Sequence, residues 1–260
     1  TGLWAGDEQV HFGDPTRGSE PCTAVEMMYS LEEMLQATAD LQWADHLERV
    51  AYNALPTQAT DAYDGRQYYQ QTNQIACSRE WRNFVTQHED NDNVFGVLNG
   101  YPCCSCNMHQ GWPKFTQNLW YASKDGGLAA FVYAPSTVTA KVADGVEVSL
   151  KQETLYPFEE TVKVTVSYPS RKVKKAEFPL YFRIPEWCQN AQVQVNGESV
   201  CDAVILKLGT SIPSFVLKAI KDASFLITKY FLFVFKSQTL FSYNCSKPLV
   251  FNIFFKFSTQ

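Results

Sequence analysis

The sequence predicts an α + β chain in two parts, a helical segment followed by an antiparallel β-sandwich. Two observations carry this: apolar residues recur at three and four through the first sixty positions, and the period changes to two after Asp125-Gly126-Gly127. A third observation concerns chemistry rather than fold. Glu20-Pro21-Cys22 stands at the mouth of one helical pattern, and Cys103-Cys104-Ser105-Cys106-Asn107 opens another some eighty residues later.

Over 23–38, Ala24, Met27, Met28, Leu31, Met34 and Leu35 define an amphipathic helix, with Glu26, Glu32, Glu33 and Gln36 facing elsewhere. Asp40 caps a second helical pattern through Trp43, Leu47, Val50, Ala51 and Ala54, which Pro56 should end. Two helices joined by a short turn form a hairpin, the repeating unit of all-α toroids and bundles. Residues 57–102 are rich in Gln, Asn, Asp and Tyr without periodicity, so an ordered, aromatic-lined excursion is expected there. Met108, Trp112, Phe115 and Leu119 return to helical spacing, with Pro113 expected to kink or restart that helix. Strands are predicted at 128–133, 146–150, 162–168, 178–184 and 191–195, and Asn196-Gly197 marks a hairpin turn. The expected domains are 1–124, 125–202 and a tail at 203–260. That tail holds ten of the eighteen phenylalanines and one acidic residue, Asp222. It reads as foreign to the preceding domain, through a frameshift or retained intron, or as a lineage-specific extension, and poor order is expected there.

The chain has 260 residues, 45% of them hydrophobic, which is ample for a core. A net charge of -5 argues against nucleic acid or an anionic membrane as the main partner. Lysines at 207, 218, 221, 229, 236, 247 and 256 break up the apolar tail, so no membrane helix is predicted. The first residue is Thr1 rather than methionine, which suggests a piece of a longer protein.

Eight cysteines, three of them within four residues, favour a metal or catalysis over a disulfide framework. Cys22, Cys103 and Cys104 stand at helix starts, where partial positive charge stabilises a thiolate. Residues two apart in extended backbone point the same way, so Glu20 and Cys22 could address one ion through Pro21. With Cys103 and Cys104 they complete a four-coordinate zinc shell, in which Cys106 could replace Cys104. The competing readings are a closed zinc site that only staples the helices together and a disulfide-bonded domain without metal. Thiolate ligands fit a reducing compartment. Among the histidines, His46 reads as ordinary, and His109 as a core residue or a group that orients a substrate hydroxyl. Trp4, Tyr68, Tyr69, Trp81 and Trp112 could form the apolar wall of a ligand site or fill a core.

Glu20-Pro21-Cys22, the helix Ala24-Val25-Glu26-Met27-Met28-Tyr29-Ser30-Leu31-Glu32, and the run from Cys103 through Trp112-Pro113-Lys114 resemble glycoside hydrolase family 127, the β-L-arabinofuranosidases. Tyr133-Ala134-Pro135-Ser136, Glu153-Thr154-Leu155-Tyr156-Pro157-Phe158, Arg183-Ile184-Pro185-Glu186-Trp187 and Val195-Asn196-Gly197 resemble its middle β-sandwich domain. The likeness runs to about residue 200.

It implies an α/α six-hairpin toroid followed by β-sandwiches, of which residues 1–124 would be the C-terminal part of the toroid. It also implies zinc held by Glu20, Cys22, Cys103 and Cys104, with Cys103 doubling as nucleophile in a retaining mechanism on a carbohydrate, an arabinofuranoside or a related sugar. The family's acid/base glutamate follows a glycine upstream of the Glu-x-Cys pair. Gly6-Asp7-Glu8 occupies that place, which makes Glu8 the candidate and Asp7 the reserve. Only three or four of about twelve toroid helices fit before residue 124, so these 260 residues alone are expected to be inactive or poorly folded.

Overall fold

A computed structural model describes residues 1–11, 14–143, 145–168, 178–188, 191–200, 204–206, 215–220 and 251–256. Two units form, Thr1–Met34 with Gln42–Thr116, and Leu35–Leu41 with Gln117–Gln260.

In the first unit a short ribbon, β1 (Ala5–Gly6) and β2 (Val10–His11), precedes helix α1 (Pro21–Thr38). Ala24, Val25, Met28 and Leu31 of α1 are buried, as the periodicity requires, but Met34 turns outward and is 41% exposed. Each fully buried aliphatic side chain of this kind stabilises the unit by about 1.5–3 kcal/mol. Helix α2 (Leu41–Arg49) buries Ala44 and Leu47, and His46 Nε2 meets the Gly2 carbonyl at 2.6 Å.

Pro56 does not end this helical run. The backbone widens into a π-turn over Val50–Ala54, where the Leu55 N–H donates to the Val50 carbonyl, and a last turn, α3 (Leu55–Thr57), carries Pro56. Proline lacks an N–H and its ring collides with the carbonyl four residues back; a local change to i→i+5 bonding accommodates both. Helix α4 (Cys103–Gln117) likewise runs unbroken through Pro113, and Thr116 Oγ1 donates to the carbonyls of Trp112 and Pro113, both at 2.9 Å.

The segment between α3 and α4 is ordered by polar contacts instead of regular structure. Ser19 and Gln70 exchange backbone bonds at 2.7 and 3.0 Å, and Arg66 and Gly96 do so at 3.1 and 3.0 Å. The buried Arg66 guanidinium donates through Nε to Ser105 Oγ at 3.2 Å, through Nη2 to the Tyr101 carbonyl at 2.9 Å, and through Nη1 to the Asn99 carbonyl. One buried cation thereby spends its donors on holding the loop against the start of α4.

The second unit contains two sheets. In the six-stranded sheet β10 (Glu198–Val200), β9 (Gln192–Val195), β13 (Phe251–Lys256), β7 (Thr161–Ser167), β6 (Val146–Thr154) and β5 (Ser136–Val142) follow in that order, all neighbours antiparallel. Val162, Val164 and Val166 of β7 are fully buried and alternate with more exposed residues, the signature of one core-facing side. Asn196 (φ 53°) and Gly197 (φ 88°) join β9 to β10 in the left-handed conformations that a tight hairpin turn requires.

The five-stranded sheet runs β11 (Val204–Leu206), β12 (Phe215–Ile220), β8 (Phe178–Arg183), β4 (Leu128–Ala130) and β3 (Trp120–Ala122). Here the all-antiparallel expectation fails, because β8 pairs in parallel with both β12 and β4. Its buried run Phe178, Leu180, Tyr181, Phe182 and Arg183 suits a central strand covered on both faces. Strands β1, β2, β3 and β5 have no counterpart among the strands that the sequence predicts, and β11, β12 and β13 lie in the segment expected to lack order. The rest of that tail falls outside the described residues. Among the described residues no helix is long and apolar enough to cross a membrane.

Gly100 (φ 65°) lies against the Tyr68 ring so closely that a Cβ would stand 2.2 Å from Tyr68 Cγ. Gly100→Ala should therefore lower the stability of the protein by about 2 kcal/mol or more, measured as a shift in the urea unfolding midpoint at constant slope.

Candidate metal centre

Helices α1 and α4 aim their first turns at a common point. The Glu20 carbonyl accepts the Ala24 N–H at 3.4 Å, so Glu20 occupies the N-cap position and Cys22 the first turn of α1. It is this helix start, not an extended Glu-x-Cys segment, that turns both side chains the same way. From the other side, α4 begins with Cys103 and Cys104 behind Pro102, whose carbonyl accepts the N–H groups of Ser105 and Cys106 at 3.0 and 3.2 Å.

One ligand atom from each of Glu20, Cys22, Cys103 and Cys104 lies within 4.8 Å of every other. The Sγ atoms of Cys22 and Cys104 are 3.4 Å apart, and those of Cys103 and Cys104 are 3.8 Å apart. Glu20 Oε1 stands 3.2 Å from Cys103 Sγ and 3.1 Å from Cys104 Sγ. A tetrahedral cation with metal–sulfur bonds of about 2.3 Å and a metal–oxygen bond of about 2.0 Å needs edges of roughly 3.8 and 3.5 Å. Three sulfurs and a carboxylate at these spacings fit such an ion. Cys106 is exposed and lies outside this group, whereas Cys104 is buried within it.

Taken alone, two of the three thiols resist ionisation. Burial, reinforced by Glu20, pushes the Cys103 thiol up to about 12. Burial pushes Cys104 up further, followed by its contact with Cys22. Cys22 moves the other way, lowered first by the hydrogen bond from Cys104 and then by Asn107, whose Nδ2 donates to Cys22 Sγ at 3.2 Å. One thiolate is thus stabilised by its neighbours, and a bound dication would be needed to ionise the other two.

Beside the cluster stands Glu8. Its Oε1 accepts the hydroxyl proton of Tyr68 and lies 2.9 Å from His88 Nε2, while Tyr68 Oη is 3.7 Å from Cys103 Sγ. Burial raises the Tyr68 phenol far above its ordinary range, so it remains a donor. Asp7, its sequence neighbour, is fully buried, and its Oδ2 accepts the Val85 N–H at 2.7 Å. Of the two carboxylates, Asp7 is buried against the Val85 backbone and Glu8 contacts Tyr68 and His88.

The remaining predicted residues lie elsewhere. Trp112 packs against Tyr52 and Phe115, with ring centroids 6.4 and 5.8 Å away. His109 is exposed, as is Trp4, whose carbonyl accepts from Ser19 Oγ at 3.0 Å. The sequence assigns no role to Asn107 or His88 and offers Tyr68 only as an apolar wall or a core residue. The spacing of Asn107, four residues after Cys103 on one helix, carried a signal; the positions of Tyr68 and His88 on an irregular segment carried none.

A family model described as the GH127 catalytic domain of β-L-arabinofuranosidase matches residues 7–117, and one for the GH127 middle domain matches residues 127–207. A non-reducing end β-L-arabinofuranosidase of Bifidobacterium longum subsp. longum is 28% identical over 189 residues, covering 70% of this chain and 27% of that protein. Among solved structures, one described as a glycoside hydrolase superposes with a TM-score of 0.62 at 22% identity, covering 94% of this chain and 34% of the other. A GH127 β-L-arabinofuranosidase from Geobacillus stearothermophilus T6 gives 0.59 at 20% identity, covering 94% and 32%. At these identities the superpositions bear on the fold. The chain spans about a quarter of the length of the curated relative and about a third of the solved ones.

Cobalt(II) titration tests the ligand set, since cobalt–thiolate charge-transfer absorption reports each sulfur. Cys22→Ala and Cys104→Ala should each weaken binding by at least about tenfold and reduce that absorption, whereas Cys106→Ala should stay within about twofold of the parent.

Proposed function

Because this chain belongs to glycoside hydrolase family 127, we propose that it forms part of a retaining glycosidase with a cysteine nucleophile, acting on β-L-arabinofuranosides or closely related sugars. The observation that carries this reading is the meeting of Glu20, Cys22, Cys103 and Cys104 within 4.8 Å, with Glu8 linked to Cys103 through the Tyr68 hydroxyl. In this reading, residues 1–124 are the C-terminal part of an α/α toroid, residues 125–202 a β-sandwich middle domain and residues 203–260 a tail atypical of the family. A zinc ion held by Glu20, Cys22, Cys103 and Cys104 would supply the positive charge that keeps buried sulfurs ionised at neutral pH.

Cys103 is the nucleophile. Of the three cysteines it is the one beside Tyr68 and Glu8. Its Sγ forms a bond to the anomeric carbon as the bond to the leaving oxygen breaks, and Glu8 delivers a proton to that oxygen. In the second half Glu8, now a carboxylate, takes a proton from water; the water oxygen bonds to the anomeric carbon and the carbon–sulfur bond breaks, returning the sulfur electron pair to Cys103. Two displacements at one carbon restore its configuration.

A second reading is favoured by the way the cluster joins the starts of α1 and α4: a purely structural zinc in a non-catalytic, carbohydrate-associated protein. One pair of variants separates them. In the intact protein that carries these residues, Cys103→Ser should fold and lower turnover of 4-nitrophenyl β-L-arabinofuranoside by about a thousandfold or more, and Glu8→Gln by about a hundredfold or more. Absence of hydrolysis in the parent protein, together with unfolding of Cys103→Ser, would establish the structural role instead. Proton NMR of the first-formed product should show the β-anomer, and initial formation of the α-anomer would rule out the double displacement.

A further inference from the structure

We propose that Tyr68 and His88 are positioning residues that both donate to Glu8 Oε1, thereby confining the acid's transferable proton to Oε2. This inference rests on the glycosidase reading above. A carboxyl group carries its proton on one oxygen, and two donors aimed at the same oxygen leave the other as the site of protonation. Tyr68 supplies one donor through its hydroxyl, and His88 supplies the second through Nε2 at 2.9 Å.

Both donors are fixed by a single buried residue. The Asp92 carbonyl accepts the Tyr68 N–H at 3.0 Å, and Asp92 Oδ2 accepts the His88 N–H at 2.8 Å. The rings are packed as well: Tyr68 lies edge-on to Tyr69 at 4.6 Å and to His88 at 5.0 Å, with the Arg66 guanidinium 5.4 Å from its centroid. Neither hydrogen-bonding atom can swing away without disturbing those contacts. Because Tyr68 Oη also lies 3.7 Å from Cys103 Sγ, the phenol sets the spacing between the proton donor and the attacking sulfur. A glycosidase acid must meet the leaving oxygen while the nucleophile reaches the anomeric carbon, and orientation of this kind is a recognised source of rate.

Two measurements on the intact protein test this. Nitrogen-15 NMR of histidine-labelled protein, with the His88 signal identified by its loss in His88→Gln, should show Nε2 protonated. A bare Nε2 would mean that Glu8 donates to the ring, which overturns the assignment whether or not the protein hydrolyses sugars. Kinetics supply the second arm: Tyr68→Phe and His88→Leu should each lose at least about tenfold more kcat/KM on an alkyl β-L-arabinofuranoside than on the 4-nitrophenyl glycoside, whose leaving group needs little protonation. His88→Gln, which keeps an N–H donor at the Nε2 position, should recover most of the loss seen in His88→Leu. Equal losses on both substrates would reduce Tyr68 and His88 to structural roles and overturn the proposal. If the parent hydrolyses neither substrate, the glycosidase reading fails and the NMR result alone decides how Glu8 is held.

Discussion

Three sulfurs and a carboxylate are brought together where burial and mutual contact raise two of the thiols, Cys103 and Cys104, and lower the third, Cys22. Such an arrangement is costly for an isolated chain and favourable once a cation neutralises it, so a bound cation would couple ligand binding to local folding in the first unit. The surrounding structure is organised to hold the two helix starts in place. The Ser19–Gln70 backbone pair sits immediately before Glu20 and fixes the entry to α1. Arg66 reaches Ser105 in the first turn of α4 and the carbonyls of the loop leading into it. Neither contact touches a sulfur, yet displacing either helix start by an ångström would open the cluster.

The same segment that braces the helices also supplies the chemistry around Glu8. Residues 57–102 form no regular element beyond isolated bridges, but Tyr68, Asp92 and His88 are locked to one another by backbone and side-chain bonds. A rigid irregular segment can present a hydroxyl and an imidazole from directions that a helix or strand does not offer. Within the second unit order arises differently, from alternating valines in β7 and from a central strand, β8, buried on both faces. There the buried Arg183 Nε donates to the Phe131 carbonyl and Tyr133 Oη to the Arg183 carbonyl, so these two interior side chains are satisfied by nearby backbone.

Residues whose meaning depends on their own chemistry were readable from the sequence. Glu20, Cys22, Cys103 and Cys104 suggest a soft-metal site by type and by their positions at helix starts, and the structure brings the four within reach of one another. The choice between Cys104 and Cys106 was not readable, because both lie within one turn and only the direction of α4 determines which is buried. Pro56 and Pro113 both lie inside helical segments: local rules give the cost of a proline in a helix, while the π-turn that precedes Pro56 emerges only in context. Parallel pairing of β8 with β4 and β12 involves partners about fifty and thirty-five residues away, and hydrophobic alternation specifies a face, not a neighbour. Tyr68 and His88 acquire their roles through such long-range closure as well.

Glu8 adopts a left-handed backbone conformation, with φ at 64°. An L-residue with a side chain is disfavoured there by on the order of 1 kcal/mol, whereas glycine would sit comfortably. Selection for thermal robustness alone would favour erasing this glutamate, and a library screened only for heat tolerance would tend to enrich glycine at position 8. On the proposed mechanism such winners would be sturdier proteins stripped of their proton source, which would make position 8 a place where durability and turnover pull in opposite directions.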